Sequence, residues 1–465
     1  MSNGLARVIL AGTHSGVGKT TITIGLLQAL MKRGISVQPY KVGPDYIDTG
    51  FHSNICSRPC GNLDSYFLTG DALLEVFSRK AKQVSFSLIE GVMGLYDGLA
   101  SNPSIGSTAH VAKILKAPVI LIVDANKIAA SAGAVVLGYK KFDPCTNIVG
   151  CIVNRVTGCS HYRMVKKSIE KNCGIKVLGY LPKDNSFGLA ERHLGLRPAQ
   201  EVSVRRLVNR ITKAVEEFID IDALVAVGKK APALPSFKPV IFTNKPCEKN
   251  ISIAVARDKS FHFYYQDNLD ILEYLGARLR FFSPLKSKKL PVGTSGVYIG
   301  GGFPEMFAEE LTANRTLLTE LKTRSREGMP IYAECAGLMY LMKELRTHDK
   351  RVVPMAGIFP GRTQMGKRLH MFGYYKAKTQ CATILGKKGS VCKGHMFHWS
   401  YITRMPARES YVFSLKKRGR VYRDGYTRDN TVATYLHFHF ASNVEFAKNF
   451  IESCRKYKKD RYVNE

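Results

Sequence analysis

The chain has 465 residues, 45% of them hydrophobic, and a formal net charge of +32. This length exceeds one ordinary hydrophobic core, so two or three domains are expected. The apolar content excludes a disordered chain, and no apolar run has the length of a membrane span or forms the core of a signal peptide. The sequence therefore predicts a folded, soluble protein of the cytoplasm.

The positive charge is spread over both halves of the chain rather than concentrated in a tail. It is compatible with nucleic-acid contact, with an acidic substrate, or with a generally basic proteome. The chain has no nucleic-acid-binding motif, so we expect no nucleic-acid partner, and its lack of a membrane-length apolar run predicts no membrane partner. The eleven cysteines include no CxxC pair, which argues against zinc or iron–sulfur ligation.

Residues 1–230 alternate short apolar runs with helical segments, the pattern of a parallel α/β sheet. The predicted strands are Arg7–Ala11, Val37–Lys41, Ser85–Glu90, Val119–Val123, Ile148–Val153 and Val177–Tyr180. Ligands of such sheets bind beyond the carboxyl ends of the strands, so the functional loops are expected there. Prolines and few periodic apolar residues predict a linker over 231–249.

A glycine-rich loop follows the first strand, and a helix-like stretch follows the loop. Residues 12–20 read Gly-Thr-His-Ser-Gly-Val-Gly-Lys-Thr, which predicts a phosphate cradle in which Lys19 contacts the terminal phosphates. An ordinary glycine-rich turn is the alternative, since Thr13 stands where the strict pattern has glycine. The predicted ATP contacts are Thr13, Ser15, Gly16, Val17, Gly18, Lys19 and Thr20.

Oxygen-bearing side chains follow other strands of the first domain. Asp45 and Glu90 are predicted to bind Mg²⁺ together with Thr20, because hard cations prefer oxygen ligands. Alternatively, Asp45 caps a turn or the helix that follows it. Asn154 ends a strand and is predicted to contact the adenine of ATP, with a turn-forming role as the alternative.

A second α/β pattern covers residues 250–445. Strands are predicted from Ile251 and over Val297–Ile299 and Ile331–Ala333, and helices over Asp267–Leu275 and Ala336–Leu345. Short alternating runs predict additional β structure over 351–435, and 446–465 is expected to form a basic C-terminal helix or tail.

Cys335 lies between a predicted strand and a predicted helix, the setting of a nucleophile elbow, where a helix dipole favours thiolate. Gly301, Gly302 and Ala336 are predicted to supply the N–H groups of an oxyanion hole. His437 is the predicted base. The alternative is a buried thiol and a packed core histidine.

The chain resembles the cobyrinate a,c-diamide synthase family of glutamine-dependent amidotransferases over nearly its whole length. The segments that carry the resemblance are Gly12–Thr20, Lys41–Asp48, Glu90–Gly98, Gly106–His110, Ile152–Val156, Glu191–Leu196, Ala254–Asp258, Gly300–Glu305, Ala333–Leu341 and Tyr435–Phe440. The resemblance implies a P-loop domain similar to dethiobiotin synthetase, followed by a glutaminase domain of the class I type.

The resemblance also implies a division of labour between the two domains. Cys335, with His437 as base, releases ammonia from glutamine. The first domain uses ATP and Mg²⁺ to phosphorylate two acetate carboxylates of a corrin ring, and ammonia then displaces each phosphate. Asp48 and Asp97 fall in family segments that line this synthetase site.

The chain departs from the family pattern at several positions. Ala336 replaces a glycine after the nucleophile, and Lys376 and Met396 replace glutamates common in the family. His439 stands two residues after the predicted base, where an ordinary Cys-His-Glu triad has its acid.

The sequence leaves the oligomeric state and three alternative functions open. Nickel-sirohydrochlorin or hydrogenobyrinate is an alternative macrocyclic substrate, and a homodimer is compatible with the sequence. A partitioning-type ATPase is a different class of protein, although His14 stands where such ATPases have a second lysine. A family member with an inactive glutaminase that uses free ammonia is the third alternative.

Overall fold

The computed structural model describes residues 4–99, 105–187, 191–192, 195–196, 202–406 and 409–464. It divides into two compact units, residues 1–240 and 241–465. Two residues of the family segment 191–196, His193 and Leu194, lie outside the described residues.

Most strands of the first unit form one sheet. The strands are β1 Arg7–Gly12, β2 Val37–Val42, β3 Gly61–Leu63, β4 Phe86–Glu90, β5 Val119–Asp124, β6 Ile148–Val156, β7 Lys176–Pro182, β8 Glu191–Arg192 and β9 Gly195–Leu196. The sheet has seven parallel strands in the order β3-β2-β4-β1-β5-β6-β7, and β8 pairs with β9 alone. The predicted parallel α/β sheet is confirmed.

Helices alternate with these strands. They are α1 Lys19–Lys32, α2 Ile47–Cys56, α3 Gly70–Ala81, α4 Thr108–Leu115, α5 Ser131–Phe142, α6 Cys159–Cys173, α7 Val202–Phe218 and α8 Ile221–Lys229, with a 3₁₀ turn at Asn185–Phe187. The central strand β1 is buried along its whole length, as expected for a parallel strand covered on both faces. Helix α1 packs closely on α7 because Gly25 faces Ile211 and Val215, where a larger residue would collide.

The strands of the second unit form several sheets. They are β10 Ile251–Ala256, β11 Phe261–Phe263, β12 Ala277–Phe282, β13 Gly296–Ile299, β14 Gly301–Gly302, β15 Ile331–Glu334, β16 Met342–Arg346, β17 Val352–Pro354, β18 Phe359–Met365, β19 Met371–Thr379, β20 Val391–His398, β21 Ser400–Thr403, β22 Phe413–Lys417, β23 Arg420–Asp424, β24 Tyr426–Arg428, β25 Thr431–Thr434 and β26 His437–Phe438. The main sheet has the order β12-β10-β13-β15-β25-β24 and is parallel except at β24, its antiparallel edge strand.

The additional β structure predicted for 351–435 is confirmed. It consists of a four-stranded sheet, β17-β16-β18-β21, and a five-stranded sheet, β23-β22-β19-β20-β26. The helices of this unit are α9 Gln266–Tyr274, α10 Ala308–Ala313, α11 Arg315–Arg326, α12 Ala336–Leu341 and α13 Glu445–Asn464, with 3₁₀ turns at Pro304–Phe307 and Phe440–Ser442.

One predicted helix is too long. The sequence favours a helix over Ala336–Leu345, but α12 ends at Leu341 and the chain continues directly as β16. Pairing of β16 with β17 and β18 outweighs the helical preference of residues 342–345.

All eleven cysteines are free thiols. Among the helices that the structure describes, none has the length and apolar character needed to cross a lipid bilayer.

Candidate active sites

The first candidate site lies where the glycine-rich loop joins β1 to α1. Gly16 and Gly18 have φ angles of 78° and 96°, which residues with a side chain rarely adopt. A Cβ atom on Gly18 would overlap the side-chain amide of Asn154. The loop ends at the N-terminus of α1, where partial positive charge and free N–H groups favour phosphate.

The predicted ATP contacts surround this turn. Ser15 and Gly16 are exposed at the tip of the loop, and Val17 is buried below it. The Thr13 carbonyl accepts a hydrogen bond from the Tyr139 hydroxyl of α5. The hydrogen bond from Tyr139 thus holds the start of the loop, while the tip at Ser15 and Gly16 stays exposed to solvent.

Lys19 is oriented by two backbone carbonyls. Its Nζ atom donates to His14 O at 3.2 Å and to Met93 O at 2.5 Å. Burial, reinforced by the positive charge of Lys41, lowers the pKa of Lys19 to about 8. Both of these contacts of the Lys19 ammonium are with neutral carbonyl oxygens. A phosphate bound here would give the ammonium a negatively charged partner.

A buried cluster of charged side chains lies beside Thr20. The Lys41 Nζ atom is 2.6 Å from Glu90 Oε1 and 2.5 Å from Asp48 Oδ2. The Thr20 hydroxyl donates to Glu90 Oε1 at 2.7 Å and to Asp48 Oδ2 at 3.3 Å. His52 Nε2 lies 2.5 Å from the second oxygen of Glu90, so both carboxylate oxygens of this buried residue have partners.

The charges of this cluster depend on one another. Burial would lower the pKa of Lys41, but Asp48 and Glu90 outweigh it and raise that pKa above its ordinary value. Burial would raise the pKa of Glu90, but Lys41 and His52 together lower it far below its ordinary value. Burial and the charge of Asp45 raise the pKa of Asp48 to about 6. Near neutral pH the cluster therefore contains an ammonium held between two carboxylates.

The donor atoms at Thr20 are compatible with a hard divalent cation. The Thr20 hydroxyl and the Glu90 and Asp48 carboxylates meet at the end of the phosphate loop, and oxygen is the donor that Mg²⁺ prefers. Asp45, the third predicted ligand, uses Oδ1 to accept hydrogen bonds from the backbone N–H groups of Ile47 and Asp48, both at 2.8 Å. Asp45 Oδ1 thus stabilises the first turn of α2, and Mg²⁺ binding by Asp45 stays a prediction.

Asn154 and Asp97 contact the loops around the cradle. The Asn154 amide donates to Val17 O at 2.8 Å and accepts from the Arg155 N–H at 2.9 Å, so it supports the phosphate loop directly. Asp97 Oδ2 accepts from the Gly94 N–H at 2.8 Å and stabilises the turn after β4.

The second candidate site is a sharp turn between β15 and α12. Its central residue, Cys335, has φ of 50° and ψ of −101° and is buried. A non-glycine residue in this region is strained and is held only by the surrounding structure. The Cys335 N–H donates to Thr434 O of β25 at 2.8 Å, and its carbonyl accepts from Met339 of α12. The thiol therefore lies at a helix N-terminus, as in a nucleophile elbow.

His437 is the partner of the thiol. Burial alone would lower the pKa of His437, but contacts with Cys335 and Glu334 raise it to about 9. Its Nδ1 atom is 3.6 Å from Glu334 Oε2, an ion-pair distance. The sequence predicted the thiol and the imidazole, and the structure brings them together.

Two of the predicted oxyanion residues lie beside this pair: Gly301 packs against the His437 ring, and Ala336 directly follows Cys335. A Cβ atom on Gly301 would overlap Cε1 of His437, and a Cβ atom on Gly302 would overlap Ser260 O. Ala336 is the first residue of α12, so its N–H has no acceptor within the helix. The Gly300 N–H is already bound by the Tyr264 hydroxyl at 2.8 Å, so it is not one of the donors.

Sequence reasoning missed three residues of these sites: Lys41, His52 and Glu334. Lys41 and Glu334 both stand inside segments that the sequence analysis used, where a charge at the end of an apolar strand indicates a buried partner. His52 gives no such signal, because a single histidine on a helix is more often a packing residue.

Each of the two sites lies in a range of the chain that matches the model of a known domain family. Residues 8–196 match the model of the CobQ/CobB/MinD/ParA nucleotide binding domain. Residues 252–445 match the model of the CobB/CobQ-like glutamine amidotransferase domain. These ranges contain the phosphate loop and the Cys335–His437 pair, respectively.

Similar curated proteins extend over almost the entire chain. Cobyrinate a,c-diamide synthase of Dehalococcoides mccartyi is 43% identical and covers 96% of this chain and 97% of its own length. The protein of that name from Salmonella typhimurium is 42% identical over 96% of this chain and 98% of its own. The one from Listeria monocytogenes is 43% identical over 94% and 97%, respectively.

A nucleotide-binding P-loop domain joined to a glutamine amidotransferase domain defines a ligase that takes its nitrogen from glutamine. Within that class, the chain belongs to the cobyrinate a,c-diamide synthase family. The alternative interpretation of the chain as a partitioning-type ATPase is wrong, because the relatives at 42–43% identity over nearly the full length are named as diamide synthases.

Proposed function

We propose that the protein amidates the a and c acetate carboxylates of cobyrinate, using ATP to activate each carboxylate and glutamine as the nitrogen source. The observation that carries the glutamine half is the contact between Cys335, in its strained turn, and His437. The names of the relatives support cobyrinate as the substrate.

In the glutaminase site, the Cys335 sulfur attacks the amide carbon of glutamine. Protonated His437 gives its proton to the departing nitrogen. Ammonia is released, and the γ-glutamyl group stays bound to Cys335 as a thioester. The N–H of Ala336, with those of Gly301 and Gly302, stabilises the oxygen as it becomes negative. Water then hydrolyses the thioester to glutamate.

In the synthetase site, the loop over residues 13–18 holds ATP and Lys19 contacts its terminal phosphates. Mg²⁺ would be held by Thr20 and Glu90, with Asp48 and Asp45 beside them, and would neutralise phosphate charge. The Lys41 ammonium is fixed between Glu90 and Asp48, where it offsets part of the negative charge of these two carboxylates. The carboxylate oxygen attacks the γ-phosphorus, and ammonia displaces phosphate from the acyl phosphate. Asp48 and Asp97 are the two carboxylates that we assign to the substrate side of the synthetase site.

The experiment is a panel of three macrocycles: cobyrinate, hydrogenobyrinate and nickel-sirohydrochlorin. Each is incubated with the protein, ATP, Mg²⁺ and glutamine, and products are identified by mass spectrometry. We expect a diamide from cobyrinate and none when ATP is omitted. Preferential turnover of another macrocycle would reassign the substrate, and no product from any of the three would contradict the proposal.

A further inference from the structure

The base of the proposed glutaminase has a carboxylate neighbour outside the usual sequence position of a thiol triad. Glu334 directly precedes the nucleophile, and its Oε2 atom lies 3.6 Å from His437 Nδ1, with both side chains buried. We infer that Glu334 is the positioning residue of the Cys335–His437 pair, orienting the imidazole and stabilising its protonated form. This inference rests on the proposed glutaminase function.

The carboxylate of Glu334 is held by three donors. The hydroxyl of Tyr298 donates to Oε2 at 3.0 Å, the hydroxyl of Tyr332 donates to Oε1, and the Phe438 N–H donates to Oε1 at 3.1 Å. Burial raises the pKa of both tyrosines well above the ordinary value, so each remains a neutral donor. Since Phe438 follows His437, the carboxylate is also tied to the backbone of the base itself.

The two tyrosines form a rigid support for this arrangement. They lie on neighbouring strands, β13 and β15, and their rings stack with centroids 5.0 Å apart. Both residues are fully buried. A carboxylate fixed in this way can hold one orientation of an imidazole, as the acid does in other nucleophile–histidine–acid sites.

The other titratable groups around His437 do not carry this role. His395 is the cross-strand partner of His437 on β20, and His398 lies further along the same strand. Burial lowers the pKa of both to about 3, so they are neutral at pH 7. His439, at the usual position of the acid, has its Nε2 atom 3.8 Å from Asp267 Oδ2 of α9. Glu334 and Cys335 are therefore the groups whose charges stabilise protonated His437.

The test is Glu334→Gln, which keeps the shape of the side chain and removes its charge. Without that charge the imidazolium is less stable, so the alkaline limb of the pH profile of glutamine hydrolysis should move about one unit towards acid. At pH 7–8, kcat should fall at least about tenfold while KM for glutamine changes little. A purely structural role of Glu334 would not move the limb.

Asp267→Asn is the matched control, since it removes a buried carboxylate that faces His439 instead of the base. Its alkaline limb should stay at the position of the unaltered protein. Amide formation with ammonium in place of glutamine reports on the ATP site and should be unchanged in Glu334→Gln. If that variant does not fold, as judged by thermal unfolding, Tyr332→Phe loosens the same carboxylate and should lower kcat in the same direction.

The outcomes separate the inference from the function on which it rests. An unaltered protein that never hydrolyses glutamine would contradict the proposed function. An unaltered protein that hydrolyses it, together with a Glu334→Gln variant whose alkaline limb and kcat are unchanged, would overturn the inference alone.

Discussion

Residues with a strained backbone or a buried charge occur in both candidate sites. Cys335 adopts φ of 50°, a conformation that costs about 1–3 kcal/mol for a residue with a side chain. Lys41 and Glu90 are almost completely buried and are tolerated because each neutralises the other. Neither the strained turn at Cys335 nor the buried Lys41–Glu90 pair stabilises the fold as hydrophobic packing does. Both features lie in the candidate sites.

Removing Lys41 should therefore destabilise the fold. Lys41→Met leaves the buried Glu90 and Asp48 carboxylates without their cation, a change that costs about 3–5 kcal/mol. The free energy of unfolding in urea measures it. Lys113→Met is the matched control, because its bond to Asp143 is partly exposed and worth at most about 1 kcal/mol. Equal losses in the two variants would contradict the buried-cluster interpretation.

At the scale of elements, the sequence predicts features that arise from contiguous residues better than it predicts contacts between residues far apart in the chain. The phosphate loop, the parallel strands and the elbow at Cys335 follow from contiguous patterns, and the structure has them. The contacts of Glu90 with Lys41 and His52 join residues 49 and 38 positions away, and their pairing depends on the strand order.

The same difference applies to the surroundings of Asp45 and His439. Asp45 follows a strand, which suggested a metal ligand, but two N–H groups at the start of α2 claim one of its oxygens. His439 occupies the triad position in sequence, but its ring contacts Asp267 and Tyr265. In both cases the structure adds a contact with a helix, α2 for Asp45 and α9 for His439.

The glycine loop after β13 allows a prediction about close packing. Gly301 touches the His437 ring, so Gly301→Ala should displace the imidazole from Cys335 and reduce glutamine hydrolysis by at least about 100-fold. Steady-state glutaminase assays measure this. Gly138→Ala in α5 is the matched control, because its added Cβ meets nothing within 4 Å. Full glutaminase activity of Gly301→Ala would contradict this prediction, because it would show that the loop around Gly301 shifts and leaves His437 in place.

At the scale of the whole molecule, each site is built from residues of one unit. The contacts of Thr20, Lys41 and Glu90 lie within residues 1–240, and those of Cys335 and His437 lie within 241–465. Each unit also has its own parallel sheet. Loss of one site should therefore leave the structure of the other intact.

Cys335→Ala tests this independence. The variant lacks the sulfur that attacks glutamine, so glutamine-supported amide formation should fall to background, whereas turnover with ammonium salts should stay within about twofold. Amide formation is followed by mass spectrometry of the macrocycle with each nitrogen source. Cys454→Ala, a buried thiol of α13, should keep both activities. Retained glutamine turnover in Cys335→Ala would exclude Cys335 as the nucleophile. If the unaltered protein also needs ammonium, its glutaminase is inactive and the protein depends on free ammonia.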